Sequence, residues 1–367
     1  MTQTAHPLER PWLVLLGLMA GVMVTNAFAR FAYGLLLPAM RAELDWSYAQ
    51  AGWLNTANAV GYLVGAVMTM ILIRRTSPTR LFVLGFAATA IALLATGFSA
   101  AMGWQTALRV IAGIVGSMSF STAGALATQV FAGDPKRTSL AIALLFGSGG
   151  GMGIVLSGAT IPPMLELFGN GAWPIGWIVI GMISLTCLPM GLWSAKQLRV
   201  QPQSMTASAP IPLRPMLPVF LGYSAFGMGY IVYLTFLAAW MRAQDFSGLA
   251  ISGVWMIMGI CITLSPFIWR GVFSRFGNGI PLAMILTCIA SGTVMPLIAP
   301  TLPMLIASAI VFGLSVFMAP GAVTNFARHN LAPADVGSAV ALFTVGFAAA
   351  QLAGPWLAGV LGDAPGD

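Results

Sequence analysis

Long apolar stretches separated by short polar segments run through the whole chain, and eleven of them are about 20 residues or longer. None of these stretches carries an Asp or Glu in its interior. About 20 residues, rising ~1.5 Å each, cross a hydrocarbon core of roughly 30 Å. The runs are continuous and lack the alternating pattern of outer-membrane strands. The pattern therefore predicts an all-α integral membrane protein with about eleven spans.

The predicted spans divide into two groups around one longer polar segment. They cover residues 12–38, 50–73, 81–100, 104–130, 138–165, 173–193, 216–241, 249–269, 280–299, 302–326 and 336–361. The break between the sixth and seventh is rich in Pro, Gln and Ser. We therefore expect an N-terminal six-helix bundle over residues 1–193, a cytoplasmic linker over 194–215, and a C-terminal five-helix bundle over 216–367.

Composition and charge placement support this class. The chain is 58% hydrophobic and 7% charged, whereas soluble domains have roughly 25% charged residues. With a cytoplasmic N-terminus, cytoplasmic segments hold all the Lys and Arg outside the spans except Arg41 and Arg242. The positive-inside rule then predicts a multi-pass protein of the bacterial inner membrane, in contact with lipid. The net charge of +7 is spread over separate short loops, so nucleic acid is not an expected partner.

Two predicted spans contain an arginine, Arg30 in the first and Arg109 in the fourth. An arginine at the centre of a membrane helix costs about 2.5–3.5 kcal/mol on insertion scales, so a compensating partner is needed. Both arginines fall in the outer half at similar depth, and an organic anion bound between them would relieve both penalties. A structural interpretation stays open: Arg30 would extend to the outer interface, and Arg109 would bind carbonyls at a helix–helix contact.

Polar and aromatic residues recur at helical spacing in several spans, which places them on common faces. The candidate substrate-binding residues are Arg30, Arg109, Asn26, Tyr33, Asn58, Tyr62, Tyr230 and Tyr233. The asparagines would equally serve as hydrogen-bonding contacts between helices, and the tyrosines as packing. The glycine-rich run 147–153 lacks the Gly-Lys-Ser/Thr ending of a phosphate-binding loop and is predicted to allow close helix contact.

An internal repeat relates the two groups of spans. Arg41 near the end of the first span corresponds to Arg242 near the end of the seventh, in similar surroundings. At a similar offset, Gly113 corresponds to Gly313. A parallel repeat of this kind predicts two pseudo-symmetric halves with a substrate site at their interface, near mid-depth.

Four segments resemble a known family. NAFARFAYGLLLPAM at 26–40 and AGWLNTANAVGYLVGA at 51–66 are similar to the first two spans of the YbfB/YjiJ family of the major facilitator superfamily. RVIAG at 109–113 resembles the superfamily's fourth-span motif, and QLAGPWLAGVLGD at 351–363 its Gly-Pro-containing eleventh span. The resemblance implies a secondary transporter in which spans 1 and 4 line a central cavity.

The sequence departs from the family pattern in two places. The loop between spans 2 and 3 carries only basic residues, where the superfamily usually adds an acidic one. A cytoplasmic gate is therefore expected from Arg74 and Arg75 together with Asp134, the nearest acidic candidate. The resemblance also implies twelve helices, whereas the chain offers eleven spans; a twelfth would be peripheral, so a cavity is still expected.

The residue types that are absent narrow the function. The spans offer no paired carboxylates, activated nucleophile or metal-ligand cluster, so an enzyme, a metal site and a cofactor are not expected. No acidic residue or histidine lies at mid-depth as a proton carrier, which favours exchange, facilitated diffusion or co-transport with the substrate carrying the proton. The leading hypothesis is a monomeric transporter that moves a small organic anion by alternating access. The alternatives are efflux of amphipathic compounds and a transport-dead membrane sensor or assembly subunit.

Overall fold

The computed structural model describes residues 8–73, 75–198 and 213–364, and in these residues eleven long helices and no strands are present. The helices are α1 Pro11–Leu44, α2 Tyr48–Leu72, α3 Pro78–Thr96, α4 Met102–Val130, α5 Lys136–Phe168, α6 Trp173–Lys196, α7 Leu213–Ala243, α8 Gly248–Arg275, α9 Ile280–Ile298, α10 Leu302–Asn330 and α11 Pro333–Asp363. All eleven are long and apolar enough to cross a membrane, or contain a segment that is. The predicted all-α membrane architecture and its number of spans are confirmed.

Several helices extend beyond the predicted spans, because polar residues continue the helical backbone hydrogen bonds past the end of the apolar stretch. Glu43 and Glu166 both lie in the last turns of their helices, α1 and α5. On either side of the predicted linker 194–215, α6 continues to Lys196 and α7 begins at Leu213. Residues 199–212 of that linker lie outside the described residues.

Local sequence sets where the helices begin. Ser47 precedes α2 and forms a capping box with Gln50. The backbone N–H of Gln50 donates to the Ser47 hydroxyl at 3.2 Å. Ser247 accepts a hydrogen bond from the third residue of α8 in the same way. Pro78 occupies the first position of α3, where a missing N–H costs nothing. These signals fix the short turns that make successive helices antiparallel.

The two halves of the bundle repeat the same helix pairing. In the N-terminal half, α2 packs on α4 and α3 on α4; in the C-terminal half, α8 packs on α10 and α9 on α10. The repeat extends to single residues: Gly113 of α4 lies against the Asn58 carbonyl of α2, and Gly313 of α10 lies against the Met258 carbonyl of α8. The predicted pseudo-symmetry is therefore confirmed.

The most extensive contacts between the halves are those of α1 with α7, α2 with α11, and α5 with α8. We call the side where α1 begins the N-terminal face and the side where it ends the far face. The glycine-rich run 147–153 lies in α5 between α1 and α8, where Gly153 faces Ala27 and Gly151 faces the Gly259 carbonyl. Small residues there let three backbones approach closely, as the sequence predicts.

The tightest seam inside the N-terminal half is between α2 and α4. A Cβ at Gly61 would collide with the Val110 carbonyl, and one at Gly113 with the Asn58 carbonyl. Without a strong hydrophobic driving force between helices in lipid, such close approach supplies packing energy. This seam holds Asn58 and Arg109 next to each other.

We expect Gly113→Ala to lower the thermal unfolding midpoint of the detergent-solubilised protein, because the added methyl group overpacks the seam by about 1–3 kcal/mol. Fluorescence-detected size-exclusion chromatography after heating measures that midpoint. Gly103→Ala is the matched control in the same helix, since a Cβ added there would have no other atom within 4 Å. There the midpoint should stay or rise, because Ala favours helix over Gly by about 1 kcal/mol. Equal midpoints for both variants would contradict the seam.

Candidate functional site

Arg30 lies at mid-depth in α1, inside a π-helical segment that covers Met23–Phe31. π-Helical turns inside α-helices are frequently found at functional sites. The Arg30 side chain is 5% exposed. Its guanidinium carbon lies 4.5 Å from the centre of the Tyr62 ring, and Nη2 donates a hydrogen bond to the Tyr230 hydroxyl at 3.2 Å. Arg30 and Tyr62 belong to the N-terminal half and Tyr230 to the other, so this cluster lies at the interface of the halves.

Gln351 of α11 completes the cluster. The Tyr230 hydroxyl donates to its Oε1 at 3.0 Å, which leaves the oxygen of that hydroxyl free to accept from Arg30. Gln351 is 3% exposed. We call Arg30, Tyr62, Tyr230 and Gln351 the Arg30 cluster. The sequence analysis places Gln351 only in the eleventh-span motif and does not predict it as a site residue. A polar amide within a membrane helix is nevertheless an indication of a functional position.

Arg109 occupies a more enclosed position than Arg30, with 1% exposure. Its Nη2 donates to the Ala29 carbonyl of α1 at 2.9 Å, and its guanidinium carbon lies 4.9 Å from the Tyr33 ring centre and 5.2 Å from that of Trp177. These contacts are the helix–helix role that the sequence left open for this residue. Nε and Nη1 are buried without a partner among the described residues. The Ala29 carbonyl belongs to the residue that precedes Arg30, so both arginines meet the same turn of α1.

Two other candidate residues, Asn58 and Tyr33, form hydrogen bonds around Arg109 and are not part of the Arg30 cluster. The Asn58 side-chain amide donates to the Arg109 carbonyl at 3.1 Å, and the Tyr33 hydroxyl donates to the Ala51 carbonyl at 2.7 Å. Both side chains are at most 1% exposed. They tie α1, α2 and α4 together around Arg109. For Asn58 this contact corresponds to the interhelical hydrogen bonding that the sequence left as an alternative.

The π-helical segment also changes the predicted common face of α1. Uniform α-helical spacing would align Asn26, Arg30 and Tyr33. In the structure the wider π turn interrupts that register, so Arg30 reaches Tyr230 across the interface while Tyr33 stacks on Trp177 within its own half, with ring centres 6.5 Å apart. Asn26 lies in the same π-helical segment and is buried.

The aromatic residues of α7 divide between two environments. Tyr223, Phe226 and Tyr230 form a stack with Phe347 of α11, in which the Phe226 and Tyr230 ring centres are 4.7 Å apart. We call these four residues the aromatic wall. Tyr233 instead shares a hydrogen bond with Ser308 at 2.7 Å and packs on Phe312, so it faces α10.

Among the described residues of the predicted cytoplasmic gate, Asp134 pairs with Arg137 and not with Arg75. Arg74 lies outside the described residues, and Arg75 is exposed. Asp134 accepts hydrogen bonds from the backbone N–H groups of Lys136 and Arg137 at the start of α5, and it pairs with the Arg137 side chain at 3.3 Å. Helix capping therefore occupies Asp134 in this structure.

Arg30 has no carboxylate partner among the described residues. Over the described ranges 8–73, 75–198 and 213–364, the two ion pairs are Arg137–Asp134 and Arg242–Glu166, both at helix ends. Groups of three or more His, Cys, Asp or Glu placed to hold a metal are also absent from that part of the chain. The cluster can thus offer a cation, hydroxyl groups and aromatic faces to a bound molecule.

Two pseudo-symmetric helical halves with a buried polar cluster at their interface are the architecture of major facilitator-type transporters. Solved structures share this fold. A bacterial homologue of the human lysosomal transporter Spinster, inward-facing and unoccupied, has a TM-score of 0.69 and 18% identity, covering 96% of this chain and 82% of that one. The nucleoside transporter NupG has a TM-score of 0.70 and 14% identity, covering 96% and 91%.

Residues 22–367 match the MFS_4 family, described as "Uncharacterised MFS-type transporter YbfB", and the chain belongs to this family. The resemblance seen in its spans is thereby confirmed. Among curated protein sequences, none matches the chain.

We expect Tyr230→Phe and Gln351→Leu to be coupled in a double-mutant cycle of thermal stability, by about 0.5–1.5 kcal/mol, because each removes the same buried hydrogen bond. Chemical or thermal unfolding of the purified protein gives the four values. The control cycle pairs Tyr233→Phe with Gln351→Leu, since the Tyr233 hydroxyl bonds Ser308 instead. Additive effects in the first cycle would rule out the bridge through Tyr230.

Proposed function

We propose that this transporter moves a small organic anion across the bacterial inner membrane by alternating access, with Arg30 holding the anionic group. The observation that carries the proposal is the Arg30 guanidinium, buried at the interface of the halves with a tyrosine hydroxyl and a tyrosine face as its described partners. Neutral partners compensate a buried charge only in part. A carboxylate or similar anion would complete the compensation and bind the planar fork of the guanidinium in a bidentate manner.

The position of Arg30 suits a site that both halves share. Its neighbours come from α2, α7 and α11, so an anion bound there would contact helices that move relative to each other during transport. Binding would draw Arg30 away from the Tyr230 hydroxyl or add a second acceptor to it. Either change alters the contact between the halves, which couples occupancy to their rearrangement.

Arg109 is assigned a supporting role in this proposal. Its field adds to that of Arg30 at the interface, while its contacts to the Ala29 carbonyl and the rings of Tyr33 and Trp177 hold α1 in place. Asn58 and Tyr33 act through the same seam. Tyr62, Tyr230 and Gln351 would orient the anion, and the aromatic wall would pack on its organic part.

The acidic residues bear on coupling. Those that the structure describes lie in loops or in the terminal turns of helices, away from the Arg30 cluster. We therefore propose exchange, facilitated movement, or co-transport in which the substrate itself carries the proton. The N-terminus would be cytoplasmic, because the Lys and Arg residues outside the spans are concentrated on the N-terminal face.

We expect Arg30→Ala to weaken binding of carboxylate ligands by about 10- to 100-fold, since a hydrogen bond to a charged group contributes about 1.5–3 kcal/mol and ~1.4 kcal/mol is tenfold. Thermal-shift titration of the purified protein with a panel of mono- and dicarboxylates finds the ligands, and uptake into proteoliposomes confirms transport. Arg30→Lys should retain part of the affinity, because it keeps the charge and loses the fork.

Arg270→Ala is the control for the loss of one positive charge, because Arg270 is exposed at the end of α8. Its affinity should equal that of the parent. If carboxylates bind Arg30→Ala as tightly as the parent, the anion proposal is wrong.

Efflux of amphipathic compounds is the second candidate, and the aromatic wall favours it. Four stacked rings at the interface would bind apolar surface without any charge. In that case Phe226→Ala and Phe347→Ala should weaken binding of neutral lipophilic compounds, while Arg30→Ala should not. The same titration with neutral and carboxylate ligands of matched size separates the two functions.

A further inference from the structure

Glu166 makes a contact between the halves at the far face. It lies in the last turn of α5, and its Oε2 accepts hydrogen bonds from the backbone N–H of Gly248 at 2.6 Å and from Arg242 Nη2 at 3.0 Å. Gly248 is the first residue of α8, and Arg242 lies in the last turn of α7. We call this contact the Glu166 bridge. A carboxylate of the N-terminal half thus caps a helix of the C-terminal half.

Asp363 makes the reciprocal contact. It is the last residue of α11, and its two carboxylate oxygens accept hydrogen bonds from the backbone N–H groups of Tyr48 and Ala49, each at 2.7 Å. Tyr48 is the first residue of α2. Arg41, in the last turn of α1, lies near this carboxylate, and its guanidinium carbon is 3.7 Å from the Tyr48 ring centre. We call this contact the Asp363 bridge.

The two bridges are related by the pseudo-symmetry of the fold. In each, the end of one helix in one half caps the start of a helix in the other, α5 on α8 and α11 on α2, with an arginine from the preceding helix nearby. The turns that present them also match. Asp45 and Asp245 both adopt a left-handed backbone conformation, with φ of 51° and 60°, shortly before Ser47 and Ser247. This equivalence argues against two unrelated surface contacts.

Both bridges gain electrostatic energy only when the halves are in contact at the far face. The first N–H groups of a helix carry the positive end of its dipole, so a carboxylate there gains from the dipole and from charge-assisted hydrogen bonds. Moving the halves apart at this face would leave those N–H groups and the carboxylates to water. A recess of about 500 Å³ lies between the bridges, lined among others by Arg41, Tyr48, Glu166 and Arg242.

We propose that the Glu166 and Asp363 bridges are a pair of symmetry-related closures that hold the far face shut, and that the transporter must break both to open on that side. Ala238 of α7 is 1% exposed and lines a small pocket with Leu35, Leu165 and Arg242 of the Glu166 bridge. Ala238 becomes accessible only if the far face opens. This proposal rests on the transporter fold and does not depend on the substrate being an anion.

The test measures access to position 238. In a background with the three cysteines Cys187, Cys261 and Cys288 replaced by Ala, Ala238→Cys is labelled with a hydrophilic maleimide in detergent. We expect Glu166→Gln with Asp363→Asn to raise the labelling rate about tenfold or more, because charge-assisted hydrogen bonds are lost at both bridges and the population of the open face rises accordingly. Each single variant should give a smaller increase, and these carry the test if the double variant does not fold.

Two controls make the result decisive. Glu43→Gln removes a carboxylate from the same face outside both bridges and should leave the rate unchanged. Ala195→Cys, fully buried near the opposite end of α6, reports general loosening and should stay unlabelled in every variant. An unchanged rate at position 238 overturns the proposal. So does an equal rise at positions 238 and 195, because the carboxylates would then stabilise the whole bundle rather than close one face.

Discussion

Burial of positive charge without a carboxylate is the constraint on which the central part of this bundle depends. Arg109 is accommodated by a carbonyl of α1 and by two aromatic rings within its own half. Arg30 depends instead on the other half, through Tyr230 and Gln351. The same residue type therefore stabilises one half internally at Arg109 and joins that half to its partner at Arg30. This difference separates a structural arginine from a candidate ligand-binding one.

The contacts inside a half can be compared with the contacts between the two halves. Inside the N-terminal half, glycines bring α2 and α4 into backbone contact, which favours movement as one body. Across the interface, polar contacts are prominent. They are the Arg30 cluster at mid-depth, the hydrogen bond between Asn55 and Thr235, and the Glu166 and Asp363 bridges at the far face. Water can replace such hydrogen bonds when a face opens. Close glycine contacts also cross the interface, where Gly34 lies against the Leu234 carbonyl and Gly52 against the Pro355 carbonyl.

Sequence patterns predicted the helices well and the side-chain environments only in part. The eleven spans and the repeat relating Gly113 to Gly313 follow from hydropathy and spacing, because lipid requires every span to satisfy its own backbone. The family follows from the resemblance of four segments to its members. The role of Gln351 did not follow, since its partner Tyr230 is 121 residues away. The separate environments of Arg30 and Tyr33 did not follow either, because a π-helical segment has no simple hydropathy signature.

The sequence by itself determined that the chain crosses a membrane as two related groups of helices, and that two arginines need compensation there. Its apolar stretches and charge placement suffice for this, because transfer into lipid depends on local composition. Only the tertiary structure decided which arginine faces the other half, and which carboxylates cap helices across the far face. These outcomes depend on contacts between residues distant in sequence, and helix rotation and π turns set those contacts one side chain at a time.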